Sequence, residues 1–268
     1  MAKTRLDIQL VEKGLADSRS LAQRLIMAGQ VRVEGELVLK PATKFTETVH
    51  ITVDHGPRFV SRGGEKLAAA LESFPIDLDN KICADVGAST GGFTDCMLQA
   101  GAAKIYAVDV GRGILDWKLR QDERVVVIEN TNARYLATLD EPVQFVTVDV
   151  SFISLKILLP VIRGWFVPEG GEAVVLIKPQ FEAGRKEVQR GKGVIRSPEI
   201  HARVLRTVLS AAQEFGFELA GLIASPITGP KGNREFLAWL RYPRMQLNDD
   251  LEIFLSALFP IETRLEDD

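Results

Sequence analysis

Short apolar runs alternate along this chain with helix-length amphipathic stretches and glycine-rich turns. Ile82–Val86 is the clearest run, short enough for a buried parallel strand. It turns through Gly87, Gly91 and Gly92 into Phe93–Leu98, which is predicted as helix. Further strands are predicted at Lys104–Val110, Val125–Ile128, Val143–Val150, Ala173–Lys178, Glu218–Ala224 and Phe236–Tyr242. Helices are expected from about Leu155 to Trp165 and after Ser197-Pro198-Glu199, a serine cap followed by proline at the first helical position. This β/α alternation predicts an α/β fold with a doubly wound, mostly parallel sheet. Only the loop S-P-I-T-G-P-K-G-N-R-E separates the last two strands, so one of them must run antiparallel.

Residues 1–55 read as a unit of their own. Leu6, Leu10 and Val11 mark a first helix that Gly14 ends. Ser18 caps a second, with Leu21, Ala22, Leu25 and Ile26 on one face and Gly29 at its end. Q-V-R-V-E-G-E-L-V then alternates as a β-hairpin turning at Glu34-Gly35. Asp54-His55-Gly56-Pro57 begins a linker expected over 56–62. The larger domain is expected over 63–245, opening on a helix that buries Leu67, Leu71 and Phe74.

Composition narrows the class. The apolar share of 46% suits a packed core. No run approaches the ~18 apolar residues of a membrane span, and the charged N-terminus is unlike a signal peptide. A cytoplasmic protein is expected. Net charge is −3, but from Gln246 onward seven acids oppose one arginine. Residues 246–268 are therefore expected as an acidic tail on a slightly basic body, which is compatible with nucleic-acid binding. Cys83 and Cys96 lack C-x-x-C spacing, and His50, His55 and His201 are scattered, so neither a metal site nor a disulfide is expected.

The candidate chemistry lies at strand ends, where ligands of this fold class bind. A strand that breaks into glycines before a helix exposes backbone N–H groups and lets a ligand approach the main chain. Gly87, Ser89, Gly91, Gly92 and Phe93 form that turn, and Asp85 is expected to offer an acceptor beside it. Asp109 ends the next strand roughly 20 positions later, where an acid can accept both ribose hydroxyls. Asn130 and Asn132 follow the third strand, where a base edge can be read. Ser89 occupies the place of the second glycine of G-x-G-x-x-G, and G-K-[ST] is missing. The crevice thus suits a nucleoside ligand, with S-adenosylmethionine favoured over a dinucleotide. Lys66, Asp149, Lys178 and Glu235 all sit where they can converge on one mouth; singly each is more often structural, together they suggest catalysis.

Two resemblances sharpen this reading. R-L-D-x-x-L, S-R-x-x-A-x-x-L-I and G-x-V-x-V-x-G, closing on Lys40-Pro41, resemble the S4 RNA-binding domain. The resemblance implies a small α+β domain presenting Arg5, Arg19, Arg24, Arg32 and Lys40 to the phosphates of structured RNA. The words S-R-G-G-E-K-L, D-V-S-F, I-K-P-Q-F-E and N-R-E-F-L resemble those around the lysine–aspartate–lysine–glutamate tetrad of FtsJ-like 2′-O-ribose methyltransferases. With the S4-like segment, the whole resembles the TlyA family, often labelled haemolysin-like. That implies a Rossmann-like seven-stranded sheet, S-adenosylmethionine as cofactor, and methylation of cytidine ribose in ribosomal RNA, free or in ribosomal subunits. It also implies Lys178 as general base, Asp149 orienting it, Lys66 as neighbouring cation, and Glu235 holding Lys66 and the ribose. The Gly-, Arg- and Lys-rich loop 183–196 is expected to reach phosphate through Arg185, Lys186, Arg190 and Lys192.

Other readings are a non-catalytic RNA-binding assembly factor, a haemolysin-like membrane activity and a dehydrogenase. An intact tetrad and glycine turn argue against the first. The second needs an uncommitted amphipathic or apolar segment, and the third lacks its glycine fingerprint.

Overall fold

The computed structural model describes residues 3–54, 56–245 and 251–260, with backbone alone at Arg185. The chain divides into two compact units between Arg58 and Phe59.

The first unit runs β1 (Lys3–Arg5), α1 (Leu6–Glu12), α2 (Arg19–Met27), β2 (Val31–Val33), β3 (Glu36–Leu37), β4 (Lys44–Thr46) and β5 (Ile51–Val53). Strand β1 pairs with β4, and β2 lies between β3 and β5, all antiparallel. Leu6, Leu10, Ala22, Leu25, Ile26 and Val31 form its core. The hydroxyl of Ser18 accepts from the Leu21 N–H and starts α2. Glu34 and Gly35 both take positive φ, 50° and 84°, as a two-residue hairpin turn between twisted strands requires.

The second unit begins with α3 (Gly63–Ser73), β6 (Ile82–Val86), α4 (Gly92–Gln99), β7 (Lys104–Val108), α5 (Trp117–Arg120) and β8 (Val125–Ile128). It continues through β9 (Phe145–Val148), α6 (Leu155–Arg163), β10 (Gly171–Ile177), α7 (Pro179–Glu182), α8 (Arg185–Arg190), α9 (Pro198–Glu214), β11 (Glu218–Ala224), β12 (Phe236–Tyr242) and α10 (Leu251–Leu258). The seven strands lie in the order β11-β12-β10-β9-β6-β7-β8. Strand β12 is antiparallel to both its neighbours, and the other pairings are parallel. The short return from β11 leaves no room for a crossover helix, so β12 inserts reversed. Apolar layers cover both faces, with Leu158, Ile162, Leu205 and Leu209 on one side and Leu67, Phe93, Met97 and Leu119 on the other. Burial on both faces explains why these strands read as continuous apolar runs.

Three stretches differ from their expected form. Within 56–62, Phe59 is buried against Gly64, where a Cβ would lie 2.2 Å from the ring, and the Val60 N–H donates to Asp95 at 2.9 Å. That end of the expected linker is core of the second unit. The loop 183–196 contains helix α8. The acidic tail contains α10, whose Leu251 and Leu255 are buried in the core while Glu252 pairs with Arg206. Positions 246–250 and 261–268 of the tail lie outside the described residues, as does His55.

Candidate active site

The chain leaves β6 toward β7 and β8 on one side, then returns to place β9 on the other. Order reverses there, and crevices form at the carboxyl ends of such strands. The two strand ends are pressed together: the Asp149 N–H donates to the Val86 carbonyl at 2.9 Å. Gly87 has φ +84°, and a Cβ on it would lie 2.3 Å from the Asp149 carbonyl oxygen. Only glycine fits.

Asp109 holds the turn closed. Its carboxylate accepts from the Ser89 N–H at 2.8 Å and from the Gly111 N–H at 2.7 Å. It also faces a cavity of about 610 Å³ walled by Gly87, Ser89, Asn132, Asp149 and Ile153 among others. The structure places other expected residues differently. Asp85 is fully buried, accepting from the hydroxyls of Thr94 at 2.7 Å and Thr147 at 3.0 Å. Loss of solvent pushes its carboxyl up to about 6. It braces the turn from beneath and does not reach the cavity. Gly91, at φ +96°, lets Leu119 cross, and Gly92 packs against Ser61 and Gly64. Phe93 is buried and borders a second cavity. Asn130 is exposed, holds φ +53° and lies off the cavity wall. Asn132 is on that wall, with its side chain capping the Arg134 N–H at 3.0 Å.

The second cavity, about 510 Å³, shares Gly87, Ser89 and Asp149 with the first and adds Lys66, Lys178 and Glu235. Four elements deliver these side chains. Lys66 stands in the first turn of α3 and Asp149 just beyond β9. Pairing of Ile177 with Phe236 in β10 and β12 sets Lys178 and Glu235 side by side at the ends of their strands. Lys178 Nζ lies 2.5 Å from Asp149 Oδ1 and donates to the Ser151 hydroxyl at 3.2 Å. Lys66 Nζ lies 2.6 Å from Glu235 Oε2 and 4.0 Å from Asp149 Oδ2. The two lysines and two acids thus form one chain of alternating contacts, with side chains between 2% and 20% exposed.

Beyond Lys178 lies a third cavity of about 380 Å³. Phe152 is 90% exposed at φ +65°, a strained setting for a bulky residue, and its ring lies 4.7 Å from that of Phe181. Gln180 donates through Nε2 to Glu235 Oε1 at 3.3 Å. Asn233 accepts from the Ile195 N–H and donates to the Gly193 carbonyl, pinning the end of the basic loop. Sequence reasoning passed over Ser151, Phe152, Gln180 and Phe181, although they lie within the words that flank Asp149 and Lys178.

The expected RNA-contacting residues fall into two groups. In the first unit Arg24, Arg32 and Lys40 are exposed, whereas Arg5 and Arg19 bind the buried carboxylate of Asp7 at 2.9 and 3.0 Å. Those hydrogen bonds, with one more from Gln23, hold the Asp7 carboxyl well below the usual carboxylate range. Arg5 and Arg19 therefore serve the fold of α1 and α2 before any ligand. In the second unit Lys186, Arg190 and Lys192 are exposed and have no ion-pair partner among the described residues. Among the described residues no group of His, Cys, Asp and Glu could hold a metal ion, and no helix is long and apolar enough to cross a membrane.

Comparison with known proteins matches residues 4–51 to the S4 domain and residues 59–242 to the FtsJ-like methyltransferase family. The Bacillus subtilis protein YqxC is 51% identical, over 90% of this chain and 86% of its own. TlyA of Mycobacterium tuberculosis, a 16S/23S rRNA (cytidine-2′-O)-methyltransferase, is 46% identical over 89% of this chain and 90% of its own. A solved chain from Streptococcus thermophilus, labelled a hemolysin, is 43% identical over 96% of both chains, with a TM-score of 0.70. The match spans the whole sheet and all four charged residues of the second cavity, so this chain belongs to the FtsJ-like methyltransferase family, with an S4 domain at its N-terminal end.

Proposed function

We propose that this protein transfers a methyl group from S-adenosylmethionine to the ribose 2′-hydroxyl of a cytidine in ribosomal RNA, in the cytoplasm where ribosomes are. The observation that carries the reading is the contact of the Lys66–Asp149–Lys178–Glu235 cluster with the glycine turn, through the Gly87 and Ser89 walls common to two cavities. One cavity suits the cofactor and the other the acceptor ribose.

Gly87, Ser89, Asp109 and Asn132 would hold the nucleoside part of the cofactor, Asp109 through the ribose hydroxyls. When bound, S-adenosylmethionine supplies a methyl on a sulfonium, already a good leaving group. The protein's task is then to orient and activate a weakly nucleophilic hydroxyl. Holding that oxygen in line removes much of the entropic barrier. Lys178, in its neutral form, takes the hydroxyl proton on Nζ, a contribution of about 10²–10⁴-fold. Asp149 orients Lys178, and Glu235 fixes Lys66 as the cation beside it. Arg24, Arg32 and Lys40 in the first unit, and Arg185, Lys186, Arg190 and Lys192 in the second, neutralise phosphates of the folded RNA.

The test is transfer of labelled methyl from S-adenosylmethionine to ribosomal subunits and to deproteinised ribosomal RNA, mapped by resistance of the modified linkage to alkaline cleavage. Incorporation at cytidine ribose is expected. No incorporation into either substrate, with cofactor bound, overturns the reading.

A further inference from the structure

The acceptor cavity is bordered by the charged residues Arg62, Lys66, Asp149, Lys178 and Glu235. Four of them are spent on one another, Lys178 against Asp149 and Lys66 against Glu235. Those four leave no positive charge over. Paired they cancel, and with Lys178 neutral, as a base must be, they sum to one negative charge. Arg62 is different. It is exposed, and its side chain has no ion-pair or hydrogen-bond partner among the described residues. Glu65, the acid in the first turn of α3, is not on the cavity wall.

What fills this cavity brings an anion with it. A ribose seated with its 2′-hydroxyl at Lys178 carries a phosphodiester on the neighbouring carbon. That phosphate meets a wall holding Asp149 and Glu235, and Arg62 is the cation there that no acid has claimed. Arginine suits the task, because its planar fork donates two parallel hydrogen bonds to two phosphate oxygens. Ser61 and Thr228 add neutral hydroxyls to the same cavity. The methionyl end of the cofactor is an anion of another kind, a carboxylate that carries its own ammonium beside it.

We propose that Arg62 is a positioning residue for the reaction, clasping the phosphate 3′ to the target ribose. This deepens the proposed function and rests on it. With the phosphate held at one carbon and Lys178 at the 2′-oxygen of the next, two contacts fix the ribose in the line of attack.

The test uses full-length protein and ribosomal RNA, intact or in two pieces that meet just 3′ of the methylated nucleotide. The first piece ends in either a 3′-phosphate or a 3′-hydroxyl. Transfer is measured with wild type, Arg62→Gln and Arg62→Lys, and cofactor affinity by calorimetric titration. Wild type should prefer the phosphate-bearing pieces by about 10- to 100-fold in kcat/KM. Arg62→Gln should lose most of that preference, with cofactor affinity within a few-fold of wild type. Arg62→Lys, which keeps the charge without the fork, should recover part of it. A merely structural role would slow both substrates alike. Wild type indifferent to the phosphate overturns the assignment without any variant, and so does Arg62→Gln with unchanged preference. Weakened cofactor binding with the preference intact also overturns it, and gives Arg62 to the cofactor carboxylate. Wild type active on intact RNA alone shows that the continuous strand, not this phosphate, sets the ribose, and overturns it as well. Wild type inactive on every substrate overturns the proposed function itself, and with it this assignment.

Discussion

Lys66 Nζ and Glu235 Oε2 meet at 2.6 Å across 169 positions of sequence, with side chains only 11% and 2% exposed. Breaking such a pair from one side strands a buried charge, at about 3–5 kcal/mol. Glu235→Ala and Lys66→Ala should each lower the melting temperature clearly. Replacing both, as Lys66→Met with Glu235→Leu, should restore much of that stability while transfer stays abolished. Calorimetry beside a methyl-transfer assay separates the two effects. Full activity in the double variant would remove the pair from the mechanism.

Lys178 is the proposed base. Lys178→Ala should reduce transfer by about 10²–10⁴-fold and leave cofactor affinity nearly intact, because the cavity walled by Gly87, Ser89 and Asp109 does not include it. Calorimetric titration with S-adenosylmethionine reads the second quantity. Normal turnover in this variant would exclude Lys178 as the base.

Gly87 joins the strand end of β6 to Asp149. Gly87→Ala places a Cβ 2.3 Å from the Asp149 carbonyl at φ +84°, so the strand ends must part. Loss of both cofactor affinity and transfer is expected, at least tenfold in each. A variant that binds the cofactor normally would show that the turn yields without consequence.

Asp85 sets a pH signature. Its carboxyl rises from 3.8 to about 6 on folding, so the folded chain holds that proton more tightly than the unfolded one. Its ionisation therefore destabilises progressively between those values and by a constant amount above them. Asp85→Asn removes the titration, at a fixed cost for the acceptor oxygen it takes away. The stability of the variant relative to wild type should rise as pH climbs from about 4 to 6, then level. Thermal melts across that range check it, and a pH-independent difference would contradict the burial argument.

Lys186, Arg190 and Lys192 stand exposed and unpaired by any described acid. Replacing them and Arg185 with glutamine should flatten the salt dependence of RNA binding, by close to one in log–log slope for each phosphate the loop no longer neutralises. Filter binding over a salt series measures it. An unchanged slope would assign the loop a structural role only.

Much of this molecule is a local property of the chain. The strands Ile82–Val86, Val125–Ile128, Glu218–Ala224 and Phe236–Tyr242 fall where apolar runs meet glycine, proline or polar breaks, because strand formation and its interruption are decided by neighbours in sequence. The reversed β12 follows from a connection too short for a crossover. The charged tetrad is also legible, since Asp149, Lys178 and Glu235 flank strands whose ends share one edge and Lys66 opens the helix that leads into the sheet.

What the tertiary structure decided depends on partners far along the chain. Asp85 and Asp109 both lie at or just beyond the ends of neighbouring parallel strands, yet Thr94 and Thr147 hold the first inside while the second reaches the cavity. Pleat and pairing set that difference, and neither is written beside Asp85. Helix α10 forms within an acidic stretch because Leu251 and Leu255 find a core to bury against. Arg5 and Arg19 look like free cations until Asp7 is seen buried between them. The amide of Gln180 takes its direction from Glu235, 55 positions away, through a hydrogen bond that only the folded sheet brings within reach.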